Sequence, residues 1–184
     1  FDVSVVLSHG VYALTATSTD FVQSTNFASQ GTAFSLNVQP KAPTISAAVG
    51  TAVNGGTIQV SGVTNGTSVP NGVITLYENG NVVGTGTVTG NSFTATTAAT
   101  FADGVHSLTA IVTDASGVDS QLSGAFNVNV LPNKPVISQV TATGPQAITV
   151  QGTGGESGYI VKIFIDGSAT AAATAPEAAK PVDT

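Results

Sequence analysis

The sequence predicts an all-β protein built from tandem antiparallel β-sandwiches. Three observations predict it: a long internal repeat, short runs in which apolar and polar residues alternate, and turn dipeptides that punctuate those runs roughly every ten residues.

The repeat is read first, because self-similarity at a fixed spacing sets the unit of folding. Pro43 returns 92 residues later as Pro135, and Ile45-Ser46 returns as Ile137-Ser138. Phe34 returns as Phe126, Asn37-Val38 as Asn129-Val130, and Pro40 as Pro132, all at the same spacing. The 184 residues therefore divide into one complete unit and two halves. Residues 41–132 form the complete unit, long enough to bury its own core. Residues 1–40 correspond to the C-terminal half of a unit and residues 133–184 to the N-terminal half.

Within the complete unit the alternation has the period of half-buried strands. Thr57-Ile58-Gln59-Val60-Ser61 places Ile58 and Val60 on one face. Ile74 and Leu76 do the same ahead of Glu78-Asn79-Gly80-Asn81, and Leu108, Ala110 and Val112 alternate with Ser107, Thr109, Ile111 and Thr113. In Phe126-Asn127-Val128-Asn129-Val130 the residues Phe126, Val128 and Val130 face inward. Asn54-Gly55, Asn65-Gly66, Asn71-Gly72, Asn79-Gly80 and Asp103-Gly104 are suited to the positive φ of tight turns. Short strands at this spacing read as an antiparallel sandwich. No amphipathic helix is expected; the Ala-rich stretch 169–181 aligns with strand positions.

The two ends align with complementary parts of the unit. Phe1 matches Phe93, Gly10-Val11 matches Gly104-Val105, and Leu14-Thr15-Ala16 matches Leu108-Thr109-Ala110. Thr19-Asp20 matches Thr113-Asp114. At the other end Ile148, Val150 and Gly152 match Ile58, Val60 and Gly62. Ile163-Phe164-Ile165-Asp166-Gly167 matches Leu76-Tyr77-Glu78-Asn79-Gly80. The N-terminal half supplies late strands, the C-terminal half early ones, and each alone leaves an unpaired sheet edge.

Composition excludes several classes of partner. Ten carboxylates stand against four lysines (Lys41, Lys134, Lys162 and Lys180) and no arginine, for a net charge of −6. Nucleic acid requires a basic face, and so does an anionic membrane surface, so neither is expected as a partner. Charged residues make up only 8% of the chain, against roughly 25% in ordinary soluble domains. An apolar content of 41% nonetheless marks folded strands and not a solvated tail. Cys is absent, so no disulfide or thiolate metal site can form. No apolar run reaches the roughly 18 residues of a membrane span.

Several stretches carry a family resemblance. Val73-Ile74-Thr75-Leu76-Tyr77-Glu78-Asn79-Gly80, Val83-Gly84-Thr85-Gly86-Thr87-Val88, Ala102-Asp103-Gly104-Val105-His106-Ser107-Leu108-Thr109-Ala110 and Thr113-Asp114-Ala115-Ser116-Gly117 resemble bacterial immunoglobulin-like repeats. These are the tandem modules of large surface adhesins and biofilm-associated proteins. The resemblance covers the middle unit well and the end halves more loosely. It implies immunoglobulin-like sandwiches on an extracellular surface, and calcium held by Asp-rich loops near domain junctions. The pattern departs where Gly117-Val118 follows the Asp turn in place of Gly-Asn.

Each candidate site has a plainer reading beside it. Asp103, Asp114 and Asp119 are the set for calcium, which takes about six to eight oxygens; the residues themselves favour carboxylates that cap their own turns. His9 and His106 lie near equivalent turns, have no recurring partners, and read as exposed turn or strand residues. Tyr12, Tyr77 and Tyr159 are too scattered for a sugar-stacking platform, and alternation directs Tyr77 outward, opposite Leu76. Asn65-Gly66-Thr67 is a glycosylation sequon. Pro40 and Pro43, and equivalently Pro132 and Pro135, are read as linkers that hold the chain extended. No nucleophile–base pair, phosphate loop or metal spacing is present, so an enzyme is not expected and no cofactor is assigned.

The leading expectation is a non-catalytic structural or adhesion repeat of an extracellular bacterial surface protein, a semi-rigid stalk whose partners are neighbouring repeats. A second is a self-assembling fibre or surface layer in which half-domains of different chains complete one another. A third is a glycan- or protein-binding module of a phage virion or secreted enzyme.

Overall fold

A computed structural model describes residues 1–19, 28–66, 68–145, 147–154, 158–168 and 170–176. The described residues form fifteen β-strands and no helix. No helix long and apolar enough to cross a membrane is therefore found among them.

The middle of the chain is one antiparallel sheet of seven strands: β5 (Thr44–Ala48), β6 (Gln59–Val63), β7 (Val73–Glu78), β8 (Asn81–Thr89), β9 (Ser92–Thr97), β10 (Gly104–Thr113) and β11 (Phe126–Val130). Their order across the sheet is β11-β10-β7-β8-β9-β6-β5. The sequence suggested two separate sheets. They are continuous because the nine-residue β8 pairs with β7 along one edge and with β9 along the other. Gly84 and Gly86 allow this: a Cβ on either would lie 2.4 Å and 2.2 Å from the carbonyls of Thr96 and Thr94.

The sheet rolls until its ends meet. After β5 the chain crosses over, and Val53 bridges Leu131, just beyond β11, in parallel. Asn54 N donates to Leu131 O at 2.8 Å, and Leu131 N to Ala52 O at 2.9 Å. The rolled, sandwich-like sheet encloses a single core. Ile58, Val60, Ile74, Leu76, Leu108, Ala110 and Val112 are buried, as the alternation predicted, with Phe93, Phe101, Val128 and Val130 beside them. Burying each large side chain contributes about 1.5–3 kcal/mol.

Turn chemistry behaves as the dipeptides predicted. Asn79 and Gly80 both take positive φ (50° and 80°) and close the hairpin from β7 to β8. Asn65, Asn71, Gly55 and Gly104 also take positive φ. The strand expected at Thr57–Ser61 begins two residues later, at Gln59. Ile58 remains tied in, its N–H donating to the Thr97 hydroxyl at 2.8 Å.

Only the first half of β10 pairs with β11, from Gly104↔Val130 to Leu108↔Phe126. Beyond it two serines cover the strand edge. Ala110 N donates to Ser123 Oγ at 2.8 Å and Val112 N to Ser120 Oγ at 3.0 Å. Ser123 N and Ser120 N return the bond to the carbonyls of Ala110 and Val112. The buried edge is satisfied without a further strand.

Short hairpins flank the sheet. On the N-terminal side β1 (Gly10–Leu14) pairs with β4 (Phe34–Val38), and β2 (Thr17–Thr19) with β3 (Ala28–Gln30). On the C-terminal side β12 (Val136–Gly144) pairs with β13 (Ala147–Thr153), and β14 (Ile160–Ile163) with β15 (Ala173–Pro176). Part of the Ala-rich stretch is thus strand; its other residues, apart from 170–172, lie outside the described chain.

The pairings of the middle recur in these hairpins. β1 meets β4 from Gly10↔Val38 to Leu14↔Phe34, the counterpart of β10 on β11. β5 shifts register between Ile45 and Ala47 against β6, and β12 shifts between Ile137 and Gln139 against β13. Gly62 and Gly152 sit opposite these shifts, where a Cβ would lie 2.1 Å from Thr44 O and 2.6 Å from Val136 O. Only glycine fits either position.

Candidate functional site

The most densely tied polar site lies where the β1–β4 hairpin meets the middle sheet. It is built on the turn that follows β10. Asp114 Oδ1 accepts the N–H groups of Ser116 and Val118, both at 2.9 Å. Asp114 N and Val118 O close the same turn at 3.0 Å, and Gly117 supplies its positive φ of 79°. This is the carboxylate capping its own turn that the sequence favoured.

The second carboxylate oxygen reaches across 105 residues. His9, just before β1, donates from Nδ1 to Asp114 Oδ2 at 2.9 Å. Its Nε2 faces Ser68 O at 3.1 Å. Both partners are acceptors only, so both bonds form together only when each ring nitrogen carries a proton. The bond to Asp114 and the bond to Ser68 raise the His9 pKa above 6.5, against the opposing effect of burial. Burial pushes the Asp114 pKa up, but hydrogen bonds from Val118, His9 and Ser116 outweigh it and lower the value below 3.8.

Further ties join the same surfaces. Gln39, just after β4, accepts a hydrogen bond from Gln121 at 2.9 Å. Gly10 pairs with Val38, so His9 and Gln39 leave the hairpin at one end and both meet the segment after β10. Asn65, in its left-handed turn, donates to Ala42 O at 2.9 Å and holds the linker between Pro40 and Pro43. Both prolines are buried, whereas their counterparts Pro132 and Pro135 are exposed. The two linkers look alike in sequence and differ in setting.

A second histidine repeats the chemistry. His106, on β10, places Nδ1 at 2.7 Å from Glu78 Oε1 and Nε2 at 2.9 Å from Ala102 O. Its ring meets Phe101 edge-on, with centroids 4.8 Å apart. The expectation of two exposed, partnerless histidines is therefore corrected. Their side chains are only 14% and 17% exposed, and each bonds a carboxylate. Each lies on one oxygen through Nδ1 and another through Nε2, so neither keeps an open nitrogen facing a hydroxyl nucleophile.

The three calcium candidates do not converge. Asp114 is committed to its turn and to His9, and Asp119 Oδ1 accepts the Thr113 hydroxyl at 2.6 Å. Asp103 is half-buried in the turn before β10. Among the described residues no three His, Cys, Asp or Glu side chains come together as a metal site. Asp20, the sequence counterpart of Asp114, and Thr67 of the sequon lie outside the described residues. Tyr77 is half-buried, with Thr109 and Val82 as its strand neighbours. Tyr12 donates to Ser8 O at 3.0 Å, and Tyr159 is exposed.

Sequence reasoning missed the His9–Asp114 pair and the two sealing serines. The pair joins segments distant in sequence and leaves no local pattern. Ser120 and Ser123 did leave one, two hydroxyls three residues apart between Val118 and Phe126. No family model, curated protein or solved structure matches the chain.

Proposed function

We propose that this chain is a non-catalytic structural and adhesion repeat of an extracellular bacterial surface protein. In this reading residues 41–132 are a complete immunoglobulin-like sandwich, and the flanking hairpins belong to neighbouring sandwiches in a semi-rigid stalk. The observation that carries it is the tied junction. His9 and Gln39 fasten the end of the β1–β4 hairpin to the middle sheet, and Asn65 fastens the linker between them. Such ties resist swivelling, which a spacer needs and a flexible tether lacks. The recurrence of strand registers and of the β5 and β12 register shifts supports a repeated module.

Small-angle scattering from dilute protein tests the reading. A compact chain of this length has a radius of gyration of about 16 Å. A stalk segment gives a clearly larger value and an asymmetric distance distribution. A value near the compact one removes the stalk.

A further inference from the structure

The two outermost strands of the middle sheet, β5 and β11, run the same way, because every neighbouring pair between them is antiparallel. The chain therefore enters the unit at one pole, from Pro43 into β5, and leaves it at the opposite pole, from β11 into Pro132. A pull on the two linkers runs along the strands and not across them.

The segments that meet this pull are held unequally. β5 makes four pairs with β6, interrupted by the register shift between Ile45 and Ala47, and Ile45 is its one buried residue. The segment that follows is tied to two separate parts of the fold. Asn54 N donates to Leu131 O at 2.8 Å, and Leu131 N to Ala52 O at 2.9 Å. Gly55 N donates to Phe101 O at 2.8 Å, and Phe101 N to Gly56 O at 3.1 Å. Phe101 is itself buried, with its ring edge-on to His106.

We propose that residues 52–56 and Leu131 form a tension latch and that β5 is a strap that yields before it, so that the unit answers a pull in two stages. At the latch the two segments are parallel. Tension drags Ala52 toward the first linker and Leu131 toward the second, so both bonds between them are sheared at once. A ladder that is peeled loses its bonds one at a time. Leu131 adjoins Pro132, so there is no slack between the second linker and the latch. On the other side residues 44–51 intervene, and their release adds at most about 3.3–3.6 Å of length per residue. Ile45 is the one member of the hydrophobic core among them, so the core stays closed while the strap gives.

The device rests on the stalk reading for its purpose, since only a chain under tension uses it. Scattering reports the shape of the unloaded chain and force reports the latch, so either can fail alone.

The chain has no cysteine, so pulling handles can be placed at chosen residues. The full chain carrying Lys41→Cys and Lys134→Cys is stretched at constant speed in optical tweezers. The expected trace has a short early step, then one larger rupture as the rest of the unit extends. Moving the first handle to the exposed Thr51, by Thr51→Cys in place of Lys41→Cys, abolishes the early step and leaves the main rupture force unchanged. Leu131→Pro removes the donor to Ala52 O, one of two bonds at the parallel bridge, and lowers that force by roughly half. Leu131→Ala keeps the N–H and the wild-type force. Forced unfolding follows the unfolding barrier and not the equilibrium stability. Leu76→Ala, which empties the core, therefore loses more stability in urea than Leu131→Pro and yet ruptures at higher force. The same urea titration shows that each variant is folded. Extension in a single step overturns the proposal. So does an early step that survives the Thr51 handle, a wild-type rupture force in Leu131→Pro, or rupture forces that rank in the order of urea stability.

Discussion

Replacing His9 by Ala separates the strength of the junction from the stability of the middle sheet. The substitution removes the donor to Asp114 Oδ2 and the donor to Ser68 O. A hydrogen bond to a charged group contributes about 1.5–3 kcal/mol and a neutral one about 1 kcal/mol. His9 has one face toward water and Asp114 keeps two backbone donors, so the net loss is set at about 1–2 kcal/mol. At about 1.4 kcal/mol per decade, that is a roughly tenfold rise in the opening of the β1–β4 hairpin from the middle sheet. None of these bonds involves the buried core, so β6 to β11 keep their protection. The same contact depends on pH. The His9 pKa is raised above 6.5, so its contribution is complete below that value and is lost as pH rises through the raised pKa. The Asp114 pKa is lowered below 3.8, so its contribution is complete above that value and is lost as pH falls through the lowered pKa. The junction is therefore tightest between those ordinary values and loosens on the alkaline side first. Amide hydrogen exchange, corrected for intrinsic rates, reads this element by element. Exchange in β1 and β4 rises between about pH 5.5 and 8.5 in the wild type and is already high, and flat with pH, in His9→Ala. Equal protection of β1 and β4 in both proteins at both pH values would refute the clamp.

Three further substitutions probe the sheet. Leu76→Ala empties a fully buried site and lowers unfolding free energy by about 2–5 kcal/mol in urea titration. Ser123→Ala leaves Ala110 N without an acceptor on a buried edge, at about 1–3 kcal/mol, and Ser123→Thr restores the bond and most of the stability. Gly62→Ala drives a methyl group into Thr44 O and the Phe93 ring, costing about 1–3 kcal/mol and speeding amide exchange in β5, whose pairing it disrupts.

The parts of the fold legible in the sequence were those fixed by neighbours along the chain. Ile74 and Leu76, and Leu108, Ala110 and Val112, announce their burial because strand geometry alternates faces every residue. Asn79-Gly80 announces its hairpin because only such residues adopt both φ values readily. The parts that stayed hidden depend on what lies opposite in space. Asp114 read as a turn cap, and it is one, but nothing near it in sequence points to His9. The continuity of the sheet was hidden as well, because it rests on β8 having two partners at once. The contrast between buried Pro40 and Pro43 and exposed Pro132 and Pro135 arises from the surfaces they meet, and the motif itself is the same.

The exposed second linker bears on survival among proteases. An extended segment open to solvent is where cleavage begins. Its cationic residue is Lys134, followed directly by Pro135, and proteases that cut after basic residues do not hydrolyse a bond to proline. Lys180 is followed by Pro181 in the same way, and there is no arginine. Of the remaining lysines, Lys41 stands in the linker that Asn65 holds, and Lys162 lies within β14. The chain thus exposes this linker while withholding from trypsin-like enzymes the bond they would cut there.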